Sequence, residues 1–198
     1  MTGCSSDSAR KRLLDAGREL FAARGYAAVT VREITARARV NQAMVSYYFG
    51  GKEGLYGEVL AGEFAHVVAL PDNADLPSLS PRGRILALAS AMDRLHRERP
   101  WIASLIHQEM VWPTRFLEES VVPALVALSS FLRETISEGV KQGEFRAGLD
   151  VALSVYVFAA VVNYRHIFRP LISRILEDQG PDPDPDRLLD IFLRGVEQ

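Results

Sequence analysis

Gln42, Ala43, Ser46 and Tyr47 set an amide, a methyl, a hydroxyl and a phenol at spacings that gather them on one flank of a helix. Such a set can hydrogen-bond base edges, touch a thymine methyl or reach phosphate oxygens. A few residues further on, Lys52 brings an ammonium to the start of another helical stretch, where backbone N–H groups and a cation together hold a phosphate. The chemistry available is recognition of duplex nucleic acid, and it requires the polar flank to stand outside the fold.

The flanking residues supply the frame. Thr30 and Glu33 form T-x-x-E, a capping box that starts a helix near Val31. Val31, Ile34 and Ala38 then share an inward face, leaving Arg32, Glu33, Thr35, Arg37 and Arg39 mostly outside. Val40 packs in the turn, and Asn41 suits an N-cap for a second helix from about Gln42, in which Val45, Tyr48 and Phe49 face the first. Gly50 and Gly51 end it. Two short helices joined by a turn of about three residues are the grammar of a helix-turn-helix. Ser8 to Arg24 reads as a bracing helix with Leu13, Ala16, Leu20 and Phe21 on one stripe and Gly25 as its stop; Lys52 to Leu70 reads as a fourth, with Leu55, Val59, Ala61 and Phe64 available for packing.

The segments F-A-A-R-G-Y (Phe21 to Tyr26), T-V-R-E-I (Thr30 to Ile34), Y-Y-F (Tyr47 to Phe49) and K-E-G-L-Y (Lys52 to Tyr56) resemble the TetR family of bacterial transcriptional regulators. G-V-K-Q-G-E-F-R, Gly139 to Arg146, is a weaker match to a connection in that family's C-terminal domain. The resemblance implies that Thr30, Arg32, Gln42, Ala43, Ser46, Tyr47, Tyr48 and Lys52 meet DNA; Asn41 and Arg39, beside them in the turn, complete the candidate interface. Arg39 departs from the family's usual turn glycine. If its backbone is left-handed, arginine costs roughly 1 kcal/mol relative to glycine, so the turn is reshaped or the charge serves a phosphate.

Composition fits a cytoplasmic protein of two parts. The 198 residues, 48% hydrophobic, suffice for real cores. The net charge of −2 conceals a basic N-terminal segment: residues 1–56 carry nine Lys/Arg against five Asp/Glu, residues 57–198 fourteen against twenty. The lone Cys4 permits no internal disulfide, the first residues have no apolar signal region, and no stretch is expected to reach the length of a membrane span. Nucleophile-elbow, zinc-protease and phosphate-loop motifs are absent, and the four histidines are scattered, which argues against a hydrolase and against a resident metal or cofactor. A modest charge surplus argues against a non-specific architectural DNA binder.

The remaining chain reads as all-α, with about nine helices in total. Residues 1–51 are expected to form the DNA-binding domain, with a disordered tail to about residue 7, and residues 52–198 a ligand-binding and dimerisation domain. Pro71 to Pro81 reads as a loop, followed by helices from Arg82 to about Arg97 and from Pro100 to about Val111, one from Phe116 to Gln142 broken or kinked at Pro123, one from Val151 to about Leu176 capped by Asp150 and bent near Pro170, and a last one entered through Asp186. One helix-turn-helix touches one half-site, so a two-fold operator calls for a homodimer; Ala152, Val155, Phe158, Ala159, Val162, Leu189, Phe192 and Val196 are its candidate interface. The resemblance also implies a small-molecule effector. Candidates for its pocket are Trp101, Leu105, His107, Glu109, Met110, Trp112, Phe116, Tyr156, Asn163 and His166, a composition suited to an apolar or aromatic molecule with one or two polar groups. The expected activity is repression relieved by that effector; activation, or control by a partner protein, stays open.

Overall fold

The computed structural model describes residues 3–71, 76–175 and 185–196. Nine α-helices carry these residues: α1 (Gly3–Ala28), α2 (Val31–Ala38), α3 (Ala43–Phe49), α4 (Lys52–Val68), α5 (Pro81–Glu98), α6 (Trp101–Val111), α7 (Val122–Gln142), α8 (Val151–Ile175) and α9 (Pro185–Val196). Among the described residues there is no strand. The chain divides into two compact units, Met1–Ala65 with Ser104–Pro123, and His66–Ala103 with Ala124–Gln198.

In the first unit α1 begins at Gly3, so residues 3–7 are helical where the sequence suggested a disordered tail. Gly25 interrupts the helix as expected, at φ 77° and ψ 165°, and one further turn follows. The core gathers Leu13, Phe21, Ile34, Val45, Leu55 and Phe64 from α1 to α4, all buried; Ala61, expected among them, is exposed. An aromatic cluster is centred on Tyr56. Its ring meets Phe21 edge-on at 4.9 Å, Tyr26 at 4.9 Å and Phe116 at 5.9 Å. Gly57 makes the last contact possible, since a Cβ there would lie 2.3 Å from the Phe116 ring. The buried Glu63 carboxylate is neutralised by Arg18 at 2.5 Å.

The expected single helix from Phe116 is interrupted ahead of Pro123, and α7 starts only at Val122. Leu117–Val121 is a π-helical turn, with the Val122 N–H reaching the Leu117 carbonyl, and it precedes the proline that has no N–H to give.

In the second unit Ser80 caps α5 by accepting from the Gly83 N–H, and Pro81 occupies the first helical position. Leu76–Ser78 forms a short 3-10 turn inside the segment read as loop, and Leu76 is buried. The G-V-K-Q-G-E-F-R connection has a physical logic. Gly139 admits the Phe145 ring, whose Cδ2 would stand 2.2 Å from any Cβ, and Gly143 turns the chain at φ 77°. The Glu144 carboxylate then accepts from the Arg82 N–H, and the Arg146 N–H donates to the Val196 carbonyl. Asp150 caps α8 by accepting from the Leu153 N–H at 3.0 Å. The helix runs through Pro170 to Ile175. The sequence carried it to Leu176, which, with the Pro181 to Asp184 half of the proline-aspartate repeat, lies outside the described residues.

Candidate nucleic-acid interface

The capping box at the head of α2 is complete. The Thr30 hydroxyl oxygen accepts from the Glu33 N–H at 3.2 Å, and the Glu33 carboxylate accepts from the Thr30 N–H at 2.8 Å. Arg24 adds a third partner at 2.7 Å. The Arg24 guanidinium, then the Thr30 hydrogen bonds, pull the Glu33 carboxyl down to about 2. Thr30 is thus engaged in starting the helix, and its exposed hydroxyl also donates to Glu33. Thr35, expected outside, is buried, its hydroxyl donating back to the Val31 carbonyl.

The turn is closed by paired bonds at the end of α2. The Arg39 N–H donates to the Ala36 carbonyl and the Val40 N–H to the Thr35 carbonyl, the Schellman arrangement, which requires a left-handed residue at position 39. Arg39 has φ 54° and ψ 51° and is the one non-glycine residue with positive φ among the described residues. The Asn41 side-chain oxygen accepts from the Ala43 N–H at 2.9 Å, so it caps α3 as expected. The helix proper runs from Ala43 to Phe49 and stops at left-handed Gly50, whose N–H donates to Ser46.

Val45 and Phe49 anchor α3 in the core, while Gln42, Ala43, Ser46 and Tyr47 are exposed, Tyr47 to 78%. Tyr48, read as packing inward and as DNA-facing, is half-buried and meets Tyr47 edge-on at 5.0 Å. Arg32 is exposed on α2.

Lys52 is also engaged within the fold. Its ammonium donates to the carbonyls of Tyr26 and Val29, both at 2.8 Å, and sits 4.2 Å from the centroid of the Tyr26 ring. Partial burial lowers its pKa. Two of its three donors therefore hold the end of α1 to the start of α4. Most other cations of this unit are also engaged: Arg10 with Glu58, Arg24 with Glu33, Arg37 with Glu19, Arg115 with Glu53. Among the described residues of the unit, Lys11, Arg32 and Arg39 have no such partner.

The structure separates the residues proposed for an effector pocket. Leu105, Glu109 and Phe116 are buried in the first unit, where the Glu109 carboxylate accepts from the Tyr56 hydroxyl at 2.6 Å and the Thr114 N–H at 3.1 Å. Glu109 is thus satisfied by Tyr56 and Thr114, beside the aromatic cluster that Phe116 joins. His107, Met110 and Trp112 are exposed, as is Tyr156 in the second unit, and Trp101 is half-buried. Asn163 and His166 do come together, with two residues not named for the pocket, Asp93 and His96. The His96 and His166 rings stack at 4.4 Å, so these histidines are not scattered. The Asn163 amide donates to the Ala159 carbonyl, which leaves its oxygen facing His96 Nε2 at 3.0 Å; His96 is therefore the donor in that bond. His166 Nε2 lies 3.4 Å from Asp93 Oδ1. The signal was present in α5, where the inward stripe of Ile85, Leu88 and Met92 continues into Asp93 and His96.

The dimer candidates need a larger correction. Phe158, Val162, Leu189, Phe192 and Val196 are buried within the single chain, with Phe158 and Phe192 edge-to-face at 5.6 Å. They fill the core between α8 and α9 and have no surface left for a partner. Val155 and Ala159 are half-buried, and Ala152 is exposed. The outward stripe of α8 is instead Leu153, Val157, Tyr164, Phe168, Leu171 and Ile175, each exposed and spaced by three, four or seven residues. Contrary to the sequence reading, Val151–Phe168 is apolar enough over 18 residues, at a mean hydropathy of 1.4, to cross a membrane by length and composition. One face of that window packs inward through Ser154, Phe158 and Val162, as in a core helix.

A capped bracing helix, a Schellman turn and a short helix anchored by two buried side chains define a helix-turn-helix DNA-binding module, followed in the chain by a helical body. The chain belongs to the TetR family of bacterial transcriptional regulators: residues 13–59 match the description "Bacterial regulatory proteins, tetR family", and residues 81–188, more than half of the chain, match "Tetracyclin repressor-like, C-terminal domain". It is similar to the regulator SrpR of Pseudomonas putida, 25% identical over 164 residues that span 82% of this chain and 75% of that one. The repressor KstR2 of Rhodococcus jostii is 29% identical over 153 residues, 73% of this chain and 72% of the relative. The ketosteroid transcriptional regulator KstR2 of Mycobacterium tuberculosis shares the fold, with a TM-score of 0.76 at 21% identity over 96% of this chain and 95% of that chain. Regulators of this family bind operator DNA as dimers, respond to small-molecule effectors and are not enzymes.

Proposed function

We propose that the protein is a cytoplasmic, homodimeric repressor that a small apolar or aromatic effector releases from a two-fold operator. The observation that carries the reading is the outward face of α3, where Gln42, Ala43, Ser46 and Tyr47 stand in solvent on a helix fixed from behind by Val45 and Phe49. The outward stripe of α8 supports self-association, because six exposed large apolar residues on one helix face need a cover, and a second copy offers an identical one. Repression is supported by the relative named a repressor, and an apolar effector by the relative named for ketosteroids. The polar cluster of Asp93, His96, Asn163 and His166 is the place in the second unit where a few polar groups could orient such a molecule among apolar helices.

The test is selection of a bound duplex from a random-sequence pool, followed by anisotropy titrations. Gln42→Ala and Tyr47→Ala should each weaken the selected duplex by roughly 5- to 150-fold, the range expected for one lost base contact, with little change on a random duplex of equal length. Equal wild-type affinity for the two duplexes would remove the reading.

A further inference from the structure

Arg39 combines an unfavourable backbone with an idle side chain, and the fold gives no reason for an arginine there. The Schellman closure of α2 fixes a left-handed conformation at this position, which glycine or asparagine adopts without the steric cost an arginine incurs. Among the described residues the side chain makes no hydrogen bond or ion pair. It is exposed, and while most cations of this unit are tied to carboxylates or carbonyls, Arg39 is not. Its placement is specific: it stands two residues ahead of the Asn41 carboxamide that caps α3. A fixed φ and ψ at the base of the side chain also limits the directions a guanidinium can sample, so less freedom is lost when it docks.

We infer that Arg39 is a phosphate-binding residue, its guanidinium gripping a phosphodiester of the duplex next to the bases that α3 reads. The inference rests on the DNA-binding reading above and adds to it a residue that fixes register without reading sequence. A guanidinium is suited to this role because its planar donors match phosphate oxygens bidentately. The competing account is that a cation at the C-terminal end of α2 merely favours the helix dipole. That account predicts an effect on folding alone, whereas phosphate binding predicts an effect on the salt dependence of DNA affinity.

The experiment compares wild type, Arg39→Gly, Arg39→Asn and Arg39→Lys for melting temperature and for affinity, from about 0.05 to 0.3 M salt, toward the selected duplex and a random duplex. Relief of left-handed strain is partly offset by the greater unfolded-state freedom of glycine, so Arg39→Gly should melt between the wild-type temperature and about 3 °C above it. The same variant and Arg39→Asn should bind both duplexes about 10-fold more weakly at 0.15 M salt, and the slope of log affinity against log salt should shrink by about 0.9 per subunit. Arg39→Lys, which keeps the charge, should retain most of that slope. An unchanged slope in Arg39→Gly, a loss confined to the selected duplex, or a lysine variant as weak as the glycine variant would each overturn the assignment. Failure of the wild type to prefer the selected duplex would instead overturn the reading beneath it.

Discussion

Tyr56→Phe isolates a single hydrogen bond on which the first unit's aromatic cluster is built. The phenol is buried and donates to the buried Glu109 carboxylate at 2.6 Å. Burial first, then the neighbouring Glu109, pushes the phenol pKa up, so the hydroxyl keeps its proton throughout the folded range and remains the donor. Phenylalanine preserves the three ring contacts, to Phe21, Tyr26 and Phe116, and removes only the donor. Glu109 keeps Thr114, whose N–H and hydroxyl reach it at 3.0–3.1 Å, so the carboxylate loses one partner without being stripped. A hydrogen bond to a charged group contributes about 1.5–3 kcal/mol, and for a chain of this length each kcal/mol moves the melting temperature by about 2–4 °C. The expected loss is therefore roughly 3–12 °C in a calorimetric scan, and Glu109→Gln in the same background should recover part of it by removing the charge left short of a donor. A melting temperature within about 1 °C of wild type would show that the Tyr56 hydroxyl contributes nothing, and the account of Glu109 as a structural partner of Tyr56 would fail with it.

The capping box gives a prediction with a sign. Because the folded Glu33 carboxyl titrates at about 2, below its ordinary 4.5, its stabilising contribution is fully present above about pH 4.5 and disappears as pH falls through about 2; melting curves of wild type and Glu33→Gln should differ at pH 6 and converge near pH 2. Thr30→Ala removes the other half of the box and should cost about 1 kcal/mol, read by urea denaturation. On α8, Tyr164→Glu or Leu171→Glu should yield monomers in sedimentation at micromolar concentration with helicity retained, whereas Phe158→Glu should lower stability instead, because Phe158 lies inside the chain. A dimer that survives both outward substitutions would remove α8 as the contact.

Local chemistry was readable from sequence where neighbours in the chain decide it. The Thr30 and Glu33 pair, the Asn41 cap and the Gly25 stop each act over two to four residues, and each stands where spacing put it. Faces that depend on long-range packing were not readable. Alternation of small and bulky residues along α8 is the same whether a residue meets α9 or a second copy, and only the fold shows Phe158 turned inward and Tyr164 outward. In the sequence Lys52 reads only as a cation for phosphate because nothing local reveals that the Tyr26 and Val29 carbonyls come to meet it. The Asp93, His96, Asn163 and His166 cluster was half legible: the inward stripe of α5 leads to Asp93 and His96, but their partners lie on α8, far apart in the chain. Scattered along a sequence, two histidines carry no sign that they stack.

The π turn ahead of Pro123 bears on how this chain could change in length. A five-residue turn holds one residue more than an α-helical path of the same rise needs, and Glu118 and Glu119 within it point to solvent. Most helices cannot lose a residue, since a deletion swings every later side chain by about 100° around the axis. Here the slack is already wound in, so removal of Glu118 or Glu119 can be taken up by tightening the coil, with the inward residues of α7 keeping their bearing.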